Sequence, residues 1–373
     1  MPASRRPRVL LLIPHLGGGG AERVMALLAR GLDAEKYDLH LGVITQRESD
    51  VEGLPSWVHL HALRAPRVRD GAIPLLRLIR RLKPEVILSG MFHLNFLVLL
   101  LRPFFPRRTR VLVRQNGTIS SALAFGGLPW YTRILYRLMY RRADKVICQT
   151  RSMANDLAGE LGISQSRLAV LPNPVDVDEI RSSIGSKPEL KANAGPHLIA
   201  IGRLSREKGF DLLLQALTSV RRQFLNASLL IAGSGAEESA LKAECHALGL
   251  ATAVRFAGHV AQQWTLFPDA TLFVLPSRHE GMSNALLEAA AAGLPIVALP
   301  ASGGVVEMLR GQPGVWLAPE VSANALAASL MAALGSLRTG ERFAHTFVEE
   351  FRIERAIKEY EKLIDCTLEE KPR

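Results

Sequence analysis

A chain of 373 residues with 48% hydrophobic and 22% charged residues has enough material for two domains with separate cores, and its composition excludes a disordered or fibrous protein. Its 3 cysteines, Cys148, Cys245 and Cys366, are odd in number and scattered, which argues against a disulfide framework or a thiolate metal site and for a reducing cytosol. The formal net charge of +11 calls for an anionic partner, and most of the excess lies in arginines of the first half. The apolar run Val9 to Ile13 is too short for a signal peptide, and Phe96 to Leu101 falls far below the ~20 residues that span a bilayer, so a protein integral to a membrane is not expected.

In chain order, the first unit reads strand, loop, helix: Val9 to Ile13, then His15, Leu16 and four glycines, then Ala21 to Leu32. A dinucleotide fingerprint would need a glycine where Glu22 stands, so the loop weighs against NAD. Strands are predicted at Leu39 to Thr45, Val58 to Leu60 and Val86 to Leu88, with a helix Leu75 to Leu82 stopped by Pro84. A strand at Val111 to Val113 runs into the polar cluster Arg114, Gln115, Asn116, Gly117. Pro129 to Arg142 is a basic helix in which Tyr136, Leu138, Met139 and Tyr140 alternate with Arg133, Arg137, Arg141 and Arg142. Its rings fit equally a core-facing side or a membrane-facing one. A strand Ala143 to Thr150 and a helix Ser152 to Leu161 follow. Asp176 and Asp178, in a Pro-bounded stretch before a helix, read as capping or solvated residues, because no further acidic ligands gather beside them for a metal.

Beyond a linker, Ser182 to Gly195, the strand, loop, helix pattern restarts: Leu198 to Ile201, the loop Gly202 to Gly209, and Asp211 to Arg221. Two halves that open alike predict an α/β protein of two Rossmann-like domains with parallel sheets facing across a cleft. Arg203 and Lys208 put a forked donor and a point charge in one loop, as a diphosphate would require. Strands ending at Gly233 and Gly235, and at Gly258 and His259, let a flat base lie against backbone. The buried strand Leu272 to Leu275 then leads through the loop Pro276 to Met282 into a helix from about Ser283 to Ala292, stopped by Gly293 and Pro295 before the strand Ile296 to Leu299. The first backbone N–H groups of that helix, at Ser283, Asn284, Ala285 and Leu286, form a positive pole suited to a phosphate. Glu280 stands ahead of the pole and Glu288 about 7.5 Å along the axis beyond it. A phosphate flanked by two hydroxyl-bearing groups is the ligand this layout describes, a nucleotide sugar.

The segment from Glu280-Gly281 through Leu287-Glu288-Ala289 to Gly293-Leu294-Pro295-Ile296-Val297, with Gly303-Gly304 and Glu307 beyond, resembles the signature of retaining glycosyltransferases of the GT-B fold, in the large family-four (group 1) class. That resemblance implies a nucleotide diphosphate sugar (UDP- or GDP-linked) as donor, no cofactor and no metal. It assigns Glu280, Arg203 and Lys208 to catalysis. Gly19, Gly20, Gly202, Gly233, Gly235, His259, Ser283, Asn284, Ala285, Leu286 and Glu288 fall to the donor. Family members often carry a histidine near the reacting sugar where this chain has Gln115 and Asn116; these two, with Glu22 and His93, are the acceptor-side candidates. The domains implied are residues 1–176 for the acceptor, with a helix at about 353–373 packing back on it, and 190–350 for the nucleotide sugar. The acceptor expected is a glycan or lipid-linked sugar of envelope polysaccharide or lipopolysaccharide synthesis, met by a cytoplasmic protein lying peripherally on an anionic membrane. Nucleic acid is not expected, since no recognition module accompanies the charge. A nucleotide-sugar epimerase of the same fold and a non-catalytic nucleotide-sugar-binding protein are the alternatives.

Overall fold

The computed structural model describes residues 5–15, 19–45, 54–120, 131–184 and 195–370. The chain divides into two compact units, Met1–Pro174 together with Ile353–Arg373, and Val175–Arg352.

The first unit is built on a parallel sheet of β1 (Arg8–Ile13), β2 (Asp38–Val43), β3 (His59–Ala62), β4 (Val86–Ser89), β5 (Arg110–Arg114), β6 (Lys145–Cys148) and β7 (Leu168–Val170), in the order β3-β2-β1-β4-β5-β6-β7. Its central strands read as unbroken aliphatic runs because both faces are covered, and Val9 to Ile13 are entirely shielded from solvent. One face carries α1 (Gly20–Gly31) and the terminal helix, which runs from Ile353 to Glu369. The other carries four further helices: α2 (Ala72–Leu82), α3 (Phe92–Leu101), α4 (Tyr131–Tyr140) and α5 (Arg151–Leu161). The edge strand β3 begins one residue later than the Val58 start expected and extends to Ala62, since its half-exposed side chains lack a clear apolar alternation. The basic helix resolves as α4, with Tyr136, Met139 and Tyr140 in the core beside Phe92 and Phe96; Leu138 faces outward instead. Pro129 and Trp130 lie outside the described residues, as do Leu16, Gly17 and Gly18 of the first glycine loop.

The second unit repeats the plan with α6 (Val177–Ile184), β8 (His197–Ile201), α7 (Phe210–Gln223), β9 (Ser228–Ala232), α8 (Glu238–Ala247), β10 (Val254–Gly258), β11 (Leu272–Leu275), α9 (Asn284–Ala291), β12 (Ile296–Ala298), α10 (Gly303–Leu309), β13 (Val315–Leu317) and α11 (Ala323–Ser336). Its strands are also parallel, in the order β10-β9-β8-β11-β12-β13. The terminal helix of the first unit is α12 (Ile353–Glu369). In both sheets the first strand sits where the order reverses, between β2 and β4 for β1 and between β9 and β11 for β8. Loops leaving such a strand diverge to opposite faces and open a crevice at its carboxyl end. Among the described residues no helix is long and apolar enough to cross a membrane.

Candidate functional site

The crevice at the carboxyl end of β8 is shaped by backbone meeting backbone. Gly233 has φ +140°, and a Cβ there would stand 1.8 Å from the Gly202 carbonyl oxygen. Gly209 has φ +66°, and a Cβ there would stand 2.0 Å from the Pro276 carbonyl oxygen. Only glycine permits both the positive φ and the approach. Gly202 N–H donates to Ala232 (3.0 Å), Gly233 N–H to Gly258 (2.7 Å) and Leu204 N–H to Ser234 (3.0 Å), so the loops after β8, β9 and β10 form one rigid rim. On the far side Arg278 N–H donates to the Glu207 carbonyl at 2.8 Å, and the Arg278 guanidinium grips both Asp211 oxygens at 2.6 Å. That two-pronged brace was not anticipated from sequence; an arginine in one loop and an aspartate opening the helix of another have no spacing that couples them.

Within this frame Lys208 Nζ donates to Glu280 Oε1 at 2.6 Å, and Ser277 Oγ donates to the same oxygen at 2.8 Å. Glu280 is buried, and a buried carboxylate is tolerable only with such partners. Arg203 is exposed at the mouth of the loop and forms no ion pair among the described residues. Ser283 caps α9, its hydroxyl accepting the Leu286 N–H at 3.3 Å. Leu286 is therefore not the open donor expected, because the capping hydroxyl has already satisfied it. Glu288 is buried within α9. Gly235 lies on the rim beside Leu204, while His259 is exposed just past β10.

The remaining candidates belong to the first unit. Gly19 caps α1, and the buried Glu22 reaches back to accept its N–H at 3.0 Å while its other oxygen lies 3.7 Å from His15 Nε2. Gly20 opens the helix. Gln115 is buried, accepting from the Tyr140 hydroxyl at 2.5 Å and donating to the Gly117 carbonyl at 2.9 Å. Asn116 accepts from Arg114 and from Gln149 (3.1 Å) and donates to the Gly90 carbonyl. Both amides are thus engaged internally, which shapes the loop after β5. His93 is exposed on α3, edge-on to Phe92 at 5.7 Å. The hub of this network is Arg114, wholly buried, whose guanidinium donates to Tyr360 Oη at 3.1 Å, to Asn116 and to Asn173.

Asp176 Oδ1 accepts the Glu179 N–H at 2.9 Å at the start of α6, and Asp178 pairs with Arg352 at 2.8 Å.

Residues 195–336 match the family described as Glycosyl transferases group 1, and residues 18–179 match Glycosyltransferase Family 4. The chain is 27% identical over 361 residues to a lipopolysaccharide core biosynthesis glycosyltransferase, LpsE, of Rhizobium meliloti, covering 94% of this chain and 97% of that one. It is 30% identical over 234 residues to glycogen synthase of Mycobacterium tuberculosis, covering 62% of this chain and spanning only 54% of that enzyme. The crystal structure of Anabaena HepE in complex with UDP and glucose superposes with a TM-score of 0.78 at 16% identity, covering 96% of this chain and 100% of that one. At that identity the likeness shows a shared GT-B fold.

Proposed function

Since the chain belongs to the GT-B glycosyltransferases of the group 1 and family 4 kind, we propose that it is a retaining enzyme that moves a sugar from a nucleotide diphosphate sugar to a glycan or lipid-linked acceptor in envelope polysaccharide or lipopolysaccharide synthesis. The observation that carries this reading is the meeting of Lys208, Ser277 and Glu280 at the carboxyl ends of β8 and β11. Loss of the diphosphate is the demanding step, and charge stabilisation there is the largest catalytic term available. Lys208 exchanges its carboxylate partner for a phosphate oxygen when donor arrives; Arg203 adds a second cation, and the start of α9 supplies backbone dipoles. Glu280, freed from Lys208 and held by Ser277, orients the sugar and supports positive charge at the anomeric carbon. Glu288 accepts from the ribose hydroxyls. The glycine rim of Gly202, Gly233 and Gly235 admits the base, and His259 lies at its edge. The first unit receives the acceptor, through the loops that hold Gly19, Gly20, Glu22, Gln115 and Asn116 and near His93.

The uridine nucleotide and glucose in the HepE complex support a UDP-sugar donor, and the role named for the R. meliloti relative supports a lipopolysaccharide-type acceptor. Thermal unfolding with UDP, GDP, UDP-glucose and GDP-mannose tests the reading. One nucleoside diphosphate series should raise the transition, by about 2.7 kcal/mol of stabilisation at 100 times its dissociation constant. Absence of any shift across the series would remove the donor assignment.

A further inference from the structure

Arg114, the last residue of β5, is wholly buried, and its guanidinium meets only neutral oxygens: Tyr360 Oη at 3.1 Å, Asn116 Oδ1 and Asn173 Oδ1. These bonds satisfy donors without neutralising the charge, and no carboxylate pairs with it among the described residues. A buried cation without a counter-ion is costly, and an aspartate in place of Asn116 would be the simple remedy. The reason for an amide lies on its other side. Asn116 Nδ2 donates to the Gly90 carbonyl, while Oδ1 also accepts from Gln149 Nε2 at 3.1 Å. An amide accepts at one end and donates at the other; a carboxylate would only accept, and would set its second oxygen against the Gly90 carbonyl.

Gly90 follows β4, Asn116 follows β5 and Gln149 follows β6, so one side chain ties together three neighbouring strand ends. Gly90 N–H reaches on to the Leu12 carbonyl of β1 at 3.3 Å, and a Cβ on Gly90 would stand 2.6 Å from Met25 of α1. The turn after β4 is therefore held from both sides. It opens α3, whose first turn carries the exposed His93.

We propose that Arg114 is a positioning residue for the acceptor: acting through Asn116, it fixes the turn after β4 and the loop after β5 as one surface on which the acceptor is oriented. The forked guanidinium suits this task, because it holds Asn116 with one arm while Asn173 and Tyr360 hold the others. A loosened surface would have to be ordered by the acceptor itself, which weakens acceptor binding and leaves the donor side, in the second unit, untouched. The inference rests on the acceptor role proposed for the first unit, and its test has an arm that needs no transfer.

That arm is amide hydrogen exchange read by mass spectrometry, which reports local opening. Arg114→Met should speed exchange at least tenfold in peptides covering residues 89–95 and 115–118. Asn116→Asp, which gives the guanidinium a counter-ion but removes the bond to Gly90, should keep or raise the melting transition and still speed exchange at 89–95; where Arg114→Met fails to fold, this variant carries the test. Tyr360→Phe removes a partner on the α12 side alone, and should lower the melting transition without moving exchange in either loop. With UDP-glucose as donor and a deacylated lipopolysaccharide core oligosaccharide as acceptor, Arg114→Met and Asn116→Asp should raise the acceptor KM at least tenfold and leave both kcat and stabilisation by UDP near the wild-type values. Unchanged exchange in both variants, or exchange rising equally in β5 and α12, would make Arg114 a packing residue and overturn the assignment. A fall in kcat with the acceptor KM unmoved would overturn it as well. Absence of transfer by the wild-type chain counts against the proposed acceptor alone, and exchange then decides whether Arg114 positions these loops.

Discussion

Glu280 is the residue on which opposing requirements meet. Its Oε1 takes two donors, Lys208 at 2.6 Å and Ser277 at 2.8 Å, and charge-assisted bonds of this kind are about twice as strong as neutral ones. Glu280→Gln keeps the shape and an acceptor oxygen but removes the charge that would face the anomeric centre. Transfer should fall by about 100- to 1000-fold, the size seen when one stabilising group is lost from a reacting centre, while stabilisation by UDP stays near the wild-type value. Wild-type turnover in that variant would show that Glu280 is only a partner for Lys208. The two aspartates before α6 invite a separate measurement, since Asp176 caps the helix and Asp178 holds Arg352. If Arg203 and Lys208 meet the diphosphate as proposed, two cations stand in for a metal, and EDTA should leave the rate within about twofold. Complete loss restored by magnesium or manganese would return both aspartates to consideration.

At the scale of elements, β2 and β3 place three imidazoles at one edge of the first sheet. His40 and His59 stack at 5.0 Å, His40 and His61 at 5.2 Å, and His40 Nδ1 lies 3.0 Å from His61 Nε2. Burial, reinforced by His40, Arg81 and His59, pushes His61 down to about 4, and burial lowers His40 despite Asp38 beside it. Groups whose folded value is depressed bind fewer protons than they do in the unfolded chain, so stability rises with pH across the gap. The contribution is complete above pH 6.5 and is lost as pH falls toward 4. Because the rings are partly solvated, about 1–2 kcal/mol is the expected size. Urea unfolding at pH 7.5 and at pH 5 reads it directly, and His61→Gln should flatten the dependence. An unchanged slope in that variant would place the titration elsewhere.

For the molecule as a whole, the far end of the chain completes the first unit. Ile357, Tyr360 and Ile364 of α12 enter the core around β1, β2 and β4, and Tyr360 Oη receives the buried Arg114 guanidinium at 3.1 Å. Ending the chain at Arg352 would leave that guanidinium short of a partner, remove three large apolar side chains, each worth about 1.5–3 kcal/mol when buried, and uncover the core they pack against. Such a truncation should abolish the cooperative melting of the first unit and leave the unit of residues 175–352 folded, as calorimetry or limited proteolysis would show. A truncated chain melting like the full one would mean that α12 rides on the surface.

Much of this architecture was legible before any coordinates. Aliphatic runs such as Val9 to Ile13 and Leu272 to Leu275 identify strands covered on both faces, and glycines followed by helix formers identify the turns between strand and helix, because these signals are local and depend on backbone sterics and periodicity. The helix start near Ser283 and the run enclosing Glu288 were readable for the same reason, whereas the closing of the Leu286 N–H by the Ser283 hydroxyl was not. The partnerships were not. That Lys208 lands on Glu280, that Arg278 grips Asp211, that Gln115 and Asn116 turn inward around Arg114, and that Leu138 faces outward while Tyr136 and Tyr140 face the core depend on residues far apart in the chain. Composition and spacing determine which elements form and where charge accumulates. Which charges are neutralised, and by whom, is decided only when each sheet gathers the loops at the carboxyl ends of its own strands, because pairing energies depend on distance and burial.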